Sequence, residues 1–247
     1  MPTSHPHLSI LYNKLYDDFI EAIDGIDNGI SQYDEAVAGP PAYKNKTDLS
    51  SRIANLNPRW NQASDAADSD KRFERASALA GSEFSQAVEN LWEGWLPARE
   101  IVLRGVAERK AKTGDTSGRI LLFDEFASWK EHLFALEKLG EEAVQAEASG
   151  QTTNAAASGS SVTPIEPILY VIYPDESAKW RIQAVPVSSG SFQSRKPLPE
   201  QWRGVRDQDL TDKSGIPGCI FVHASGFIGG NATRDGALQM AKKALEM

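Results

Sequence analysis

"GFIGGNATRDGALQMAKKALEM", residues 226–247, decides how the C-terminal half of the chain is read. Two glycines, Gly229 and Gly230, precede Asn231-Ala232-Thr233, and from Arg234 to about Leu245 apolar residues recur at helical spacing. Thr233 is a preferred N-cap residue, because its hydroxyl can accept a hydrogen bond from an amide of the first helical turn. Glycine tolerates positive φ and lets other groups come close to the backbone. Two readings stay open. The glycines form a tight connection into the helix, or the stretch from Gly229 to Arg234 cradles a phosphate or carboxylate at the positive end of the helix dipole.

Working outward from this stretch, Gly218 to Ala224 reads as a buried strand, and Cys219 within it as a packed residue, with a nucleophile as the alternative. Pro167 to Tyr173 is a nearly continuous apolar run suited to a central strand. Trp180, Ile182 and Ala184 alternate with Arg181, Gln183 and Val185, and residues 174–179 turn one strand into the next. Upstream the pattern is helical. Leu8, Leu11, Leu15, Phe19, Ile23 and Ile26 follow three- and four-residue spacing up to Asn28-Gly29, and further helices are predicted over 49–56, 71–93, 97–112 and 129–139. Residues 118–123 suggest a short strand, while 141–161, rich in Ala, Ser, Gly, Thr and Gln, predict a mobile loop. The fold class is α/β, a helical N-terminal half followed by a small sheet flanked by helices. Four segments result: 1–30, 31–140, 141–162 and 163–247.

The 247 residues include 26 Lys or Arg and 34 Asp or Glu, a net charge of -8, which argues against a generally basic nucleic-acid binder, although the distribution matters more than the sum. The halves differ, with ten basic against nine acidic residues from Val162 onward and a balance of -9 before it. Between Lys179 and Arg206 six basic residues (Lys179, Arg181, Arg195, Lys196, Arg203, Arg206) face one acid, Glu200, forming a candidate basic patch. One cysteine excludes an internal disulfide and a cysteine-rich zinc site. No stretch is long and apolar enough for a membrane span.

The four histidines form no zinc-type spacing, and no nucleophile elbow or Walker loop is present. His223 draws interest because it ends a buried strand before Ala224-Ser225-Gly226. Asp24 and Asp27 lie near a helix C-terminus, where carboxylates are unfavourable unless a cation is close. Trp202 beside Arg203 can stack on a base or pack against the sheet, and Trp60, Trp92, Trp95, Trp129 and Trp180 are assigned to packing.

The segments IDNGI (26–30), RIANLNPRWN (52–61), WLPAR (95–99), WKEHLFALE (129–137), VIYPDESAKWRIQAVP (171–186), SFQSRKPLPEQWRGVRD (191–207) and SGIPGCIFVHASGFIGG (214–230) together resemble the melanocyte proliferating gene family, within the DHH phosphoesterase superfamily. The resemblance runs from about Leu8 to the C-terminus. It implies a metal-dependent 3′-to-5′ exoribonuclease using Mn2+ or Mg2+, located in mitochondria and in the nucleus or nucleolus. The family's His-Asn-Gly…Asp-Glu and Asp-His-His motifs are missing here, so the chain resembles the C-terminal portion, which depends on an N-terminal DHH catalytic region. On this resemblance residues 1–30 carry the last metal motif, with Asp27 as ligand and Asp24 beside it. Residues 163–247 correspond to the domain that holds single-stranded RNA, with Arg195, Arg203, His223, Ser225, Gly229, Gly230 and Arg234 as substrate contacts. Relatives often have His after the two glycines, where Asn231 leaves only a neutral hydrogen bond. A non-catalytic RNA- or phosphate-binding module and an assembly domain are the alternatives, and self-association is left open.

Overall fold

The computed structural model describes residues 7–63, 65–150 and 163–247. The chain forms two compact units, Met1–Leu96 and Pro97–Met247. The α/β class expected from the sequence is the class observed.

The first unit is helical. α1 (Leu8–Leu15) and α2 (Glu21–Asp27) are joined by a π-helical turn at Tyr16–Ile20. α2 is closed just beyond its C-cap Asn28 by Gly29, whose φ of 68° allows Ile30 N–H to reach Gly25 O at 2.8 Å and Gly29 N–H to reach Ile26 O at 3.2 Å, a Schellman cap. The Asp-Asn-Gly sequence at 27–29 thus has a backbone role. α3 (Glu35–Ala38), α4 (Leu49–Ala54) and α5 (Ala66–Asn90) are each N-capped by an aspartate, Asp34, Asp48 and Asp65. A second π-helical turn occupies Leu91–Trp95. The core of this unit is small: Leu11, Leu91 and Leu96, with Leu15 and Trp95 against them. Trp60, expected to pack, is 97% exposed, because it lies in the irregular stretch after α4.

The second unit contains α6 (Leu96–Thr113), β1 (Ile120–Leu122), α7 (Trp129–Leu139), α8 (Glu141–Ala148), β2 (Tyr170–Pro174), β3 (Trp180–Ala184), α9 (Asp207–Ser214), β4 (Cys219–Val222), β5 (Ile228–Asn231) and α10 (Arg234–Glu246). Its sheet has the order β1-β2-β3-β5-β4, with β1 parallel to β2 and the other pairs antiparallel. Alternate residues feed two cores. Tyr170, Ile172, Ile182 and Val222 pack with Leu210, Ile216 and Met240, while Val171, Tyr173, Leu121 and Phe123 pack with Val106, Leu133 and Leu136. β2 is buried on both faces, which explains its unbroken apolar sequence.

Two expectations are corrected. Residues 141–148, expected within a mobile loop, are helical because α8 is tied to α6 by charge. Glu141 accepts two bonds from the buried Arg109 Nη2 at 2.7 and 2.8 Å, Glu147 pairs with Arg99, and Val144 is fully buried between them. The remainder of that predicted loop, 151–162, lies outside the described residues. Gly229 and Gly230, read as a turn, are instead central residues of β5. Their backbone groups lie between the ladders to β3 and β4, so they contribute room for neighbouring side chains and not free amides for an anion.

The N-cap reading of Thr233 holds: its Oγ1 accepts from Gly236 N–H at 3.0 Å. Asn231, fully buried, organises the junction between β5 and α10. Its Oδ1 accepts from Thr233 N–H at 2.9 Å and Thr233 Oγ1 at 3.1 Å, and its Nδ2 donates to Pro217 O at 2.9 Å before β4. A Cβ on Gly236 would lie 2.2 Å from Asn231 Oδ1. Gly236→Ala, a change that favours an ordinary helix interior by up to about 1 kcal/mol, is expected here to destabilise by about 1–3 kcal/mol. Urea denaturation checks this, and an unchanged or raised midpoint contradicts it.

Candidate functional site

The row of residues across the sheet at Gly230 is the most chemically distinctive feature of the second unit. Gly230 pairs with Arg181 on β3 and with Phe221 on β4, and Phe221 in turn bridges Arg206 on the extended segment beside it. Register partners share a sheet face, so Arg181, Gly230, Phe221 and Arg206 form one line across it. With no side chain on Gly230, the Arg181 guanidinium lies across to the Phe221 ring, 5.2 Å from its centroid, and Arg206 lies 5.9 Å from the same ring. A Cβ at Gly230 would meet Arg181 Nη1 at 2.6 Å. Gly229 serves the opposite face, where a Cβ would meet Phe221 O, Leu198 and Val222 at 3.0–3.1 Å.

Arg181 Nη2 pairs with Asp175 Oδ2 at 2.5 Å, while Nη1 is buried without a hydrogen-bond partner among the described residues. The Arg206 side chain is 69% exposed and, among the described residues, its carboxylate neighbour is Asp207 at 4.0 Å. Beside the row lies a depression of about 420 Å³ lined by Phe126, Tyr173, Asp175, Arg181 and Ile228. Burial raises the Asp175 carboxyl, but amide donors from Lys179 and Ser177 and the nearby Arg181 outweigh it and hold it below the usual carboxylate range. Burial pushes the pKa of the Tyr173 hydroxyl up, and its O–H donates to Gln183 Oε1 at 2.8 Å.

The residues singled out from the sequence fall in several places. Gly230 is at the centre of the row. His223 follows β4 in the hairpin, where its Nδ1 is 2.9 Å from Ser225 Oγ, accepts from Ser225 N–H at 3.2 Å, and its ring stands 4.7 Å from Phe227. Arg203 donates to Leu198 O at 2.9 Å and, with Lys196, lines a separate depression of about 660 Å³. Arg195 is committed within the fold: it makes two 2.7 Å bonds to Glu137, another to Ile168 O, and stacks on Phe134. Arg234 begins α10 beside Asp235. Trp202 is fully buried in the core. The basic run of the sequence is therefore not one patch. Lys196 caps the end of α10 through Leu245 O, and Lys179 sits in the turn closed by Asp175. Phe221 was missed because an aromatic in a strand reads as core; the clue was its setting between a glycine strand and two arginines.

Asp24 and Asp27 are exposed on the first unit, and Asp24 accepts from Asn28 Nδ2 at 3.1 Å. Among the described residues no cluster of three or more His, Cys, Asp or Glu side chains could hold a metal ion. Two carboxylates supply only part of the oxygen shell that Mn2+ or Mg2+ takes. The donor set here does not make a metal site, and no step is derived through one.

Fold and row together define an α/β protein with a cationic, aromatic sheet face suited to an anionic ligand. The family model MYG1_exonuc, described as "Uncharacterised protein family (UPF0160)", matches residues 1–245, and the chain belongs to this MYG1 family. It is 46% identical over 236 residues to the human protein named MYG1 exonuclease, covering 95% of this chain and 55% of the human one. The Caenorhabditis elegans MYG1 protein is 44% identical, over 97% of this chain and 63% of its own length, and the Saccharomyces cerevisiae MYG1 protein 37%, over 98% and 65%. The chain thus spans less than two thirds of each of these relatives. No solved structure gives a significant match. No helix among the described residues is long and apolar enough to cross a membrane.

The depressed Asp175 carboxyl ties site to stability. A carboxylate whose pKa is lowered on folding stabilises above its unfolded value of about 3.9, and that contribution is lost as pH falls through the lowered value. Asp175→Asn should lower the urea midpoint at pH of about 6, with the gap to wild type closing toward pH of about 2.5. A gap independent of pH would show that the charge of Asp175 contributes nothing.

Proposed function

We propose that this chain is the C-terminal, substrate-binding portion of a metal-dependent 3′-to-5′ exoribonuclease of DHH phosphoesterase type, unable to cleave without an N-terminal catalytic region. The observation that carries the proposal is the Arg181–Gly230–Phe221–Arg206 row. Two guanidinium planes beside one aromatic ring form a surface on which a base stacks, and the exposed Arg206 is free to meet a phosphate. His223 and Ser225 lie at the hairpin end of β4 and β5, and Arg203 and Arg234 are proposed as outlying phosphate contacts. Arg195 and Gly229 act by holding the fold. Asp27, with Asp24 beside it, is the proposed contribution of this chain to a Mn2+ or Mg2+ shell whose other ligands lie outside it. The name of the human relative agrees with a nuclease. Residence in mitochondria and the nucleus belongs to the same reading.

Binding of labelled single-stranded RNA, followed by fluorescence anisotropy across a salt series, tests the proposal. Log affinity should fall with log salt by about 0.7 per phosphate contact, and Arg206→Ala should reduce that slope by about 0.7. Gly230→Ala displaces the flexible end of Arg181 and should weaken RNA binding several-fold with little loss of stability, whereas Gly229→Ala should cost about 1–3 kcal/mol of stability. With Mn2+, 3′-end shortening should appear only once the catalytic region is supplied. A flat salt response overturns the RNA role, and an intact assembly that binds RNA without cutting it favours the binding-module reading.

A further inference from the structure

The first unit has far too small a core for the apolar side chains that it carries. Among its described residues the buried apolar ones are three leucines, Leu11, Leu91 and Leu96. Against these, Trp60 is 97% exposed, Val37 85%, Tyr43 82%, Phe73 72%, Ile30 67% and Tyr12 66%. An exposed Leu or Val alone means nothing, but six large side chains open to water around a three-residue core mean a surface that another surface covers. Each aromatic among them can bury about 150–250 Å². Between Ile26 and Tyr43 every large apolar side chain is exposed, so this segment has no core of its own to fold upon.

The relatives supply the occupant. They match nearly all of this chain and extend well beyond the match, since the human protein is covered over only 55% of its length. We infer that the segment around Ile30, Val37 and Tyr43, together with Trp60 and Phe73, is the surface on which the unmatched region of the MYG1 polypeptide docks. Residues 1–96 carry eight Lys or Arg against fifteen Asp or Glu, so the apolar docking face belongs to a net negative unit and favours a partner surface with a basic rim. The inference rests on the proposal that this chain works with a catalytic region outside it. It adds which residues receive that region, and it makes the order of residues 26–43 depend on its presence.

The test mixes this chain with the separately expressed region of the human MYG1 exonuclease that lies outside the match. Hydrogen exchange and calorimetry are recorded on the chain alone and on the mixture. Expected are a one-to-one complex, slowed exchange over residues 26–43 and around Trp60 and Phe73, and affinity reduced about tenfold or more by Val37→Asp or Trp60→Asp. Both variants change exposed residues, and their RNA affinity should equal that of the wild type. Loss of RNA binding with docking intact would therefore strike at the proposed function and not at this surface. No complex, protection confined to residues 97–247, or the same protection already present in the chain alone overturns the inference. In the last case the rest of the chain or a second copy covers the surface, and light scattering tells which.

Discussion

The buried carboxamide of Asn231 fixes four segments of the C-terminal unit at once. It donates to the carbonyl of Pro217 ahead of β4, accepts from the amide and hydroxyl of Thr233, and through that hydroxyl orders the first turn of α10. A buried amide left without partners costs about 1–3 kcal/mol, so the arrangement exists only where every partner is in place. Gly236 is part of it, since any side chain there would occupy the space of the carboxamide. The position of β5 between β3 and β4 follows, and with it the alignment of Gly230 against Arg181 and Phe221.

That alignment explains why a strand contains two adjacent glycines, which ordinarily weaken a sheet. Each one clears a different face. Gly229 admits Leu198 and Val222 to the core, and Gly230 leaves room for a guanidinium to reach across the strand to an aromatic ring. One pair of residues thus serves packing on one face and the proposed ligand surface on the other. Arg181 in turn is placed by Asp175, which the turn amides of Ser177 and Lys179 hold ionised.

Much of this was legible in the sequence where periodicity speaks alone. α7 begins and ends at Trp129 and Leu139, as apolar spacing dictates, and the Thr233 cap and the alternation of β3 follow the same local rules. What escaped depends on residues far apart in sequence. α8 is composed like a loop and is helical because Arg109 and Arg99, 32 and 48 residues earlier, hold Glu141 and Glu147. β5 looks like a turn because its ladders are formed by partners that no local pattern reveals. The basic run from 179 to 206 looked like one patch, yet Arg195 faces Glu137, Lys196 faces α10, and only Arg181 and Arg206 meet at one ring. Asp27 and the exposed side chains of the first unit show the same limit: the roles proposed for them depend on contacts that no local pattern in this chain encodes.

The measurement that bears most directly on the central claim is a nuclear magnetic resonance titration of the isotope-labelled chain with a short single-stranded RNA. The account predicts that the largest shifts fall on the Arg181 side chain, the Phe221 ring and the Gly230 and Arg206 amides, with smaller ones at His223 and Ser225. Shifts confined to the depression lined by Lys196 and Arg203, with the row of residues across Gly230 unmoved, would contradict it.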